Sequence, residues 1–340
     1  MNLTVDPLRA TVLMMAAYSG LLATPLALGD PITFPQRAAE RSTEATAQNR
    51  RAVAGAVPGW LFLAAELKHV GTGEFWNSPE STPGGDPASA IIAYHEALNA
   101  LGVTLVVVPV PAKAAIYPDK LSSDFGPDAA PASAPFFDKL AAAGVIAVDL
   151  EPVFRKERAE QKVCCEQDSH WTPWACRLTA ELISELPAVR ALFPAREVIP
   201  RAGEEIRITG DLVDGLGRDA PDKETLTVFK AAAQPVPPDE SSPVILIGDS
   251  HTVVFSEAGG TIRNHTTGAG LRDHLQSQLG LPLAVITTAA SGGDGARGLL
   301  ARKAAGTPGF WKDRKLVIWC FSGRELTQGR WRMIPAQPGQ

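Results

Sequence analysis

Short runs of Val, Ile and Leu alternate along most of the chain with segments of helical periodicity, and this alternation restricts the possible folds more than any other feature. The runs Val103–Val110, Val244–Ile247 and Lys315–Cys320 are apolar at nearly every position. Continuous apolar runs of this length predict strands that are buried on both faces. Helical segments between them predict crossover connections. The sequence therefore predicts an α/β fold with three layers, α/β/α, around a mainly parallel sheet.

The predicted elements fill the chain from residue 87 onward. Segment 190–240 interrupts the alternation with two short predicted strands, Glu205–Thr209 and Thr225–Phe229, and a proline-rich link. We interpret residues 31–335 as one domain, in which about 190–240 is an irregular insertion. The other predicted strands are 145–150 and 283–287, and the predicted helices are 87–101, 131–143, 172–186, 269–279 and 295–305.

The first thirty residues have the pattern of a targeting segment. Ala10–Gly29 is uncharged and follows Arg9, and about 20 apolar residues suffice to cross a bilayer as a helix. Small residues at Ala27 and Gly29 resemble a cleavage site. Residues 1–30 are therefore predicted to be a cleaved signal peptide or an uncleaved membrane anchor. Both interpretations place the protein in the periplasm, the second attached to the inner membrane; a buried core helix is the alternative.

Export affects what is expected of the four cysteines, because disulfides persist in oxidising compartments. A bridge from Cys176 to Cys164 or Cys165 would close a short loop around Asp168 and His170. The alternative is that the cysteines are small buried thiols.

The charge balance excludes one class of partner. The chain has 32 Lys and Arg residues against 37 Asp and Glu, for a net charge of −5. No basic surface is expected that would follow a phosphate backbone, so nucleic acid is not a predicted partner. Hydrophobic residues make up 45% of the chain, which predicts an ordered core rather than disorder.

A serine lies in the turn directly after one of the predicted buried strands, in the sequence Gly248-Asp249-Ser250-His251. A turn at this position can present the Ser250 hydroxyl above the sheet, with backbone N–H groups facing a developing oxyanion. Asp249 is expected to accept hydrogen bonds within the turn. An ordinary solvent-exposed turn is the alternative interpretation.

A serine nucleophile needs a base that is oriented by a third group, and Asp168-Ser169-His170 offers such a pair. In an extended segment residues i and i+2 project to the same side. Asp168 is then expected to accept from His170 Nδ1–H and to leave Nε2 free for a hydroxyl. His251 is a competing base, although adjacent side chains in a tight turn diverge. No carboxylate stands in a comparable register with His265 or His274, which are expected on the surface.

Three further loops follow predicted strands and are expected at the same edge of the sheet. Gly292 and Gly293 would let backbone N–H groups approach a ligand. Arg324 would orient an acidic or hydroxyl-rich substrate, and Lys113 follows the first long strand. These four residues are the predicted oxyanion or substrate contacts.

Several of these segments resemble one known family, the SGNH hydrolase-like acetyltransferases of the alginate O-acetyltransferase type. The similar segments are Gly59-Trp60-Leu61-Phe62-Leu63, residues 108–121, Asp168-Ser169-His170-Trp171-Thr172-Pro173, Gly210-Asp211-Leu212, Gly248-Asp249-Ser250, and residues 316–326 with Arg324-Glu325-Leu326. In ordinary SGNH hydrolases the Asp–His pair follows the serine. Here it precedes Ser250, as the acetyltransferase branch implies.

The resemblance implies an SGNH-like fold with Ser250 as nucleophile, His170 as base and Asp168 as its orienting carboxylate. The chain departs from the hydrolase pattern because it lacks the G-x-N-D block that supplies an oxyanion asparagine. The backbone N–H groups of Ser250 and Gly292 are expected to replace it.

The implied function is O-acetyl transfer through an acyl-serine to hydroxyls of an exopolysaccharide, alginate or a similar polymer, without a cofactor or a metal. The implied partners are the polysaccharide acceptor, an acetyl-donating membrane O-acyltransferase and other exopolysaccharide export proteins. A carbohydrate acetylesterase and a non-catalytic polysaccharide-binding assembly protein are the alternatives. A more remote hypothesis is a metallophosphoesterase that uses Asp168, His170, Asp249 and His251.

Overall fold

The structure is a computed structural model, and it describes residues 31–77, 84–194, 196, 198, 201–214, 216–256, 265–289 and 291–337. The chain divides into two units, Met1–Ile32 and Thr33–Gln340. The predicted signal peptide or anchor at residues 1–30 lies outside the described residues. Within the described ranges, no helix is both long enough and apolar enough to cross a membrane.

The described residues form nine strands and twelve α-helices. The strands are β1 Ala52–Ala54, β2 Leu61–Leu63, β3 Thr104–Val110, β4 Ile146–Ala147, β5 Glu204–Ile208, β6 Glu224–Val228, β7 Val244–Gly248, β8 Ala284–Thr287 and β9 Leu316–Ser322. The helices are α1 Phe34–Ala47, α2 Ala64–Gly71, α3 Pro87–Asn99, α4 Lys113–Ile116, α5 Pro118–Leu121, α6 Ala134–Ala142, α7 Glu151–Glu157, α8 Pro173–Glu185, α9 Pro187–Leu192, α10 Leu271–Leu279, α11 Asp294–Gly306 and α12 Glu325–Gln328.

Five of these strands form a central sheet in the order β4-β3-β9-β7-β8, and every pair in it is parallel. All seven residues of β9 are buried, as its place in the middle of the sheet requires. Alternate residues of β3 point to opposite faces: Val106 belongs to one apolar core and Val107 to the other.

Helices cover both faces of this sheet. The first core contains α1, α2, α8 and α10, whereas α3, α6 and α11 contribute to the second. The predicted three-layer α/β/α fold with a mainly parallel sheet is therefore confirmed.

One predicted strand is much shorter than expected. Residues 145–150 were expected to form a strand, but only Ile146 and Ala147 pair with β3, at the edge of the sheet. The carboxylate of Asp149 accepts a hydrogen bond from the Glu151 N–H at 3.0 Å. This contact turns the chain into α7 and ends the pairing early.

The region predicted as irregular contains an antiparallel pair, β5 with β6, and it supports the segment before His170. The Glu224 carboxylate at the start of β6 accepts from the Glu166 and Gln167 N–H groups at 2.8 and 3.0 Å. An insertion distant in sequence thus fixes the backbone that leads to Asp168.

The cysteine bridge proposed from the sequence is wrong in this structure, because all four cysteines are free and buried. Cys165 Sγ donates to the Trp171 carbonyl at 3.4 Å. Burial and the charge of Asp249 raise the pKa of the Cys320 thiol on β9, and Cys176 on α8 lies close enough to raise it further. Cys176 is thus packed toward the sheet.

Candidate active site

Ser250 follows β7 in a turn that is fastened to the neighbouring strand β9. Gly248 has a φ of 154°, and a Cβ there would overlap the Cys320 carbonyl oxygen, so only glycine fits. Asp249 then accepts from the His251 N–H at 3.0 Å and from the Ser322 N–H at 2.7 Å. Burial opposes its charge, but His251 and these N–H donors lower the pKa of Asp249 to about 2.

Asp168 and His170 lie in a turn that is closed at its base by a bridge between Cys164 and Trp171. His170 Nδ1 lies 2.6 Å from Asp168 Oδ1, and the His170 backbone N–H donates to the same oxygen at 3.2 Å. Helix α8 begins directly after this turn, with Thr172 as its N-cap. The pair is therefore held by rigid structure on both sides.

The other ring nitrogen of His170, Nε2, lies 2.7 Å from Ser250 Oγ. With Nδ1–H donating to Asp168, Nε2 carries the lone pair that accepts the serine O–H. The imidazole thus joins the Asp168 carboxylate to an alcohol that lies 80 residues after His170 in the chain.

Burial and charge act in opposite directions on this pair. Burial alone would lower the pKa of His170, but the hydrogen bond and the charge of Asp168 outweigh it, and the pKa is raised. Burial disfavours the Asp168 carboxylate, whereas hydrogen bonds from His170 and His265 lower its pKa well below the usual value. Asp168 therefore remains ionised and stabilises a proton on His170.

His265 contacts the other oxygen of Asp168, and its expected place on the surface is wrong. Its Nε2 lies 3.3 Å from Asp168 Oδ2, with its side chain only 8% exposed. The Asp211 N–H donates to the same oxygen at 3.0 Å. His274 was also expected on the surface and is likewise buried.

Asp211 has a place in the site that the residue pattern alone did not indicate. Its carboxylate accepts from the Ser169 N–H at 2.7 Å and from Arg51 Nη2 at 2.6 Å. Gly210 makes this approach possible, because a Cβ there would overlap the Gln167 backbone. The sequence signal for Asp211 is the segment Gly210-Asp211-Leu212, which is similar to the family but has no chemical pattern that would assign it to the site.

The ligand atoms of Asp168, His170 and Asp211 lie within 4.8 Å of one another, a spacing compatible with a metal ion. Each carboxylate already accepts hydrogen bonds from N–H groups, and Arg51 neutralises Asp211. A cation would have to displace these donors, so the donor set fits a proton relay better than a metal centre.

Comparisons with known proteins identify the family of the chain. A family model described as an SGNH hydrolase-like domain of the acetyltransferase AlgX matches residues 53–322. The chain belongs to this family.

Individual relatives and structures of the family are more distant. The probable alginate O-acetylase AlgJ of Pseudomonas aeruginosa is 30% identical over 166 residues, which are 47% of this chain and 40% of that protein. The chain thus spans less than half the length of this relative. The O-acetyltransferase domain of Pseudomonas putida AlgJ superposes with a TM-score of 0.59 at 22% identity, covering 81% of this chain and 92% of that domain. Pseudomonas aeruginosa AlgX superposes with a TM-score of 0.55 at 17% identity, covering 82% and 67%. Both structures share the fold.

In this SGNH-like chain, Lys113 does not face a substrate, and its prediction as a substrate contact is wrong. Its ammonium donates to the carbonyls of Leu61 and Asp168, each at 2.7 Å, and of Glu166 at 3.2 Å. The residue is 2% exposed. All three donors are used on the backbone, so Lys113 positions the main chain at Asp168.

The structure places Gly292 against the Ser250 turn, whereas Gly293 lies beside Glu325 and Trp331. The Gly292 carbonyl accepts from Trp319 Nε1 at 2.6 Å, and the Gly293 carbonyl accepts from Arg297 Nε at 3.3 Å. A Cβ on Gly292 would lie 2.9 Å from Asp249 Oδ2. The glycine at this position lets the two loops touch.

Arg324 lies at the end of β9 with its side chain 16% exposed. Its Nη1 donates to Ser322 Oγ at 3.1 Å and lies 3.9 Å from the Glu66 carboxylate. The neighbouring Glu325 is buried, and its burial together with the negative charge of Asp249 raises the pKa of Glu325 to about 7. Arg324 therefore lies beside buried polar residues, among them Ser322 and Glu66.

Proposed function

We propose that this chain is an O-acetyltransferase that passes an acetyl group through Ser250 to hydroxyls of an exopolysaccharide, alginate or a similar acidic polymer. The observation that carries the proposal is the position of the His170 ring, 2.6 Å from Asp168 and 2.7 Å from Ser250. Membership of the AlgX acetyltransferase family supports acetyl as the transferred group. The names of the AlgJ relatives support a polyuronate acceptor.

In the first half-reaction, His170 Nε2 takes the Ser250 proton while Oγ attacks the carbonyl carbon of an acetyl donor. The tetrahedral intermediate collapses, the donor's leaving oxygen takes the proton from His170, and an acetyl-serine remains. Asp168 stabilises the imidazolium formed in between. General-base assistance of this kind contributes roughly 10²–10⁴-fold in rate.

In the second half-reaction, a sugar hydroxyl attacks the acetyl-serine and gives its proton to His170. Ser250 Oγ leaves, regains that proton, and the sugar carries the ester. Protons move only among substrates and side chains of the chain, so no step requires a cofactor. Holding the sugar in place favours it over water as acceptor.

The developing oxyanion requires donors near Ser250 Oγ. Within the described part of the chain, the N–H groups of Ser250 and Gly292 have no acceptor. We assign the oxyanion hole to these two groups; one such donor is worth roughly 10²–10³-fold in rate.

The proposal includes an exported location and an acetyl supply from outside the chain. We assign the acetyl supply to a membrane O-acyltransferase working with other exopolysaccharide export proteins. The periplasm is the proposed compartment, with residues 1–30 as signal peptide or anchor.

The test uses the purified chain, a chromogenic acetyl ester and oligouronate acceptors. Mass spectrometry should find one acetyl group on the peptide containing Ser250, and acetylated oligosaccharide should accumulate. Ser250→Ala should lose both. If all acetyl appears as free acetate with acceptor present, the chain is an esterase. If Ser250→Ala still acetylates the acceptor, the acyl-serine route is wrong.

A further inference from the structure

A groove lies between α8, α10 and the end of β6, and the mechanism above does not use it. It consists of two adjoining cavities of about 310 and 190 Å³, which share Ala231 and Ser277 as lining residues. His274 lines the first cavity and Gln276 the second. On a helix of 3.6 residues per turn, Ser277 lies between the faces that carry these two residues. We call the continuous surface the α10 groove.

Two buried side chains that line this groove have polar atoms without a hydrogen-bond partner. His274 is 6% and Gln276 is 5% exposed. Among the described residues, His274 Nε2 and both amide atoms of Gln276 have no partner. Buried polar groups are almost always satisfied by protein, water or ligand. The walls of the α10 groove therefore contain one imidazole nitrogen and a complete amide, all buried, whose missing hydrogen bonds an occupant with hydroxyl groups would supply.

An aromatic ring lies at one side of the first cavity. Phe229 lines the cavity, and its ring packs against Trp174 at a centroid distance of 5.6 Å. The Arg177 guanidinium lies 5.5 Å from both ring centroids. A sugar ring combines apolar C–H faces with hydroxyl groups at its rim, so this mixture of aromatic surface and hydrogen-bonding side chains matches a carbohydrate.

Charge in the first cavity favours an anionic sugar. Three cations, Arg177, Arg201 and Lys230, line the cavity together with two carboxylates, Glu181 and Glu185. Arg177 is paired with Glu181, Lys230 with Glu204, and Glu185 with Arg190 outside the cavity lining. Arg201 is exposed and has no ion pair within the described ranges. A guanidinium of this kind binds a carboxylate through two parallel hydrogen bonds.

The α10 groove extends away from the Ser250 region along α8. This helix begins at Pro173, three residues after His170, and its residues from Arg177 to Glu185 line the groove. At about 1.5 Å per residue, the lining lies roughly 6 to 18 Å along the helix from its first residue. A chain of several sugars is long enough to contact both places.

We propose that the α10 groove binds a segment of an acidic saccharide chain, with a sugar carboxylate at Arg201, hydroxyls at His274 and Gln276, and a ring face on Phe229. The groove proposal rests on the proposed function and extends it. The occupant is the same acceptor polymer, bound several sugar units away from the sugar that reacts at Ser250.

The test measures binding of a defined oligouronate and of a neutral oligosaccharide of equal length to the full chain, by calorimetry. Arg201→Glu should weaken oligouronate binding about tenfold, the loss expected for one charge-assisted contact. Gln276→Leu should weaken it several-fold while the fold remains stable, because it replaces an unsatisfied buried amide by an apolar group of similar size. Arg302→Glu is the matched control, because Arg302 is exposed on α11, which packs on the other face of the sheet.

The outcomes separate this proposal from the proposed function. Weaker binding in Arg201→Glu and Gln276→Leu, with Arg302→Glu unchanged and the neutral sugar binding poorly, supports the groove. Equal binding by all variants, equal binding of both sugars, or no binding by the wild type overturns it. Ser250→Ala should keep oligouronate binding and lose acetyl transfer. If the chain transfers acetyl groups but the groove variants bind the oligouronate normally, only the groove proposal is wrong. If the groove variants weaken binding but acetyl transfer does not depend on Ser250, only the acyl-serine function is wrong.

Discussion

Replacing Lys113 by Met separates a role in positioning from a role in substrate binding. The Lys113 ammonium makes three hydrogen bonds to carbonyls around Asp168, two of them at 2.7 Å. Hydrogen bonds from a charged donor contribute roughly 1.5–3 kcal/mol each. Part of this loss is offset, because a buried ammonium has given up its hydration and the methionine side chain has no such penalty. We expect the free energy of unfolding to fall by about 2–4 kcal/mol.

Activity should fall with stability in this variant, but through kcat. Without Lys113 the Asp168 backbone is free to shift, and its carboxylate no longer holds His170 in position. A misplacement of a catalytic group by about 1 Å lowers the reaction rate on the order of 10²-fold. The KM for the acceptor should change little. The assays are urea unfolding and initial rates with a chromogenic acetyl ester and an oligouronate.

Lys68→Met is the control, because Lys68 is exposed on α2; its free energy of unfolding should change by less than about 0.5 kcal/mol. An unchanged unfolding midpoint for Lys113→Met together with a raised acceptor KM would refute the positioning role, because it would mean that the ammonium contacts substrate.

Four other predictions concern the same site and the thiols. Asp168→Asn should lower kcat about 10⁴-fold by favouring the wrong tautomer, measured at saturating ester, and a near-normal kcat would contradict the assigned role. Because Asp168 raises the pKa of His170, the acid limb of kcat/KM should have its midpoint above 6.5, with activity rising as the ring loses its proton; in Asp168→Asn this limb should move to lower pH. His265→Phe removes one donor from the Asp168 carboxylate and should lower kcat about tenfold, with an unchanged rate showing that this contact is dispensable. Alkylation without reductant should label no cysteine in the native protein and all four after unfolding, and only two labels after unfolding would indicate a disulfide.

The sheet was predictable because burial on both faces leaves a strong trace in sequence. The apolar runs of β3, β7 and β9 coincide with their strands to within a few residues. The 145–150 run failed because pairing at a sheet edge depends on the neighbouring turn, here on the Asp149 contact with Glu151.

The site was predictable where local geometry carries it and unpredictable where distant segments meet. The pairing of Asp168 with His170, two residues later, was expected from an extended chain; the structure has the pairing, but within a turn. The contact of His265 with Asp168 joins residues 97 apart, and the burial of Lys113 depends on carbonyls of two other segments. Such contacts leave no periodic signal, so a buried lysine was expected to face a ligand.

The separate anchoring of the two halves of the site has a practical consequence. The carboxylate–imidazole pair is held by Asp211, His265 and Lys113, whereas the hydroxyl belongs to a turn clamped onto β9. Deleting the hydroxyl removes one hydrogen bond to His170 but leaves in place the contacts that hold the pair to the rest of the protein. A Ser250→Ala chain should be an undistorted trap for crystallising the acceptor in place, with its proton-accepting nitrogen still aimed at the incoming sugar.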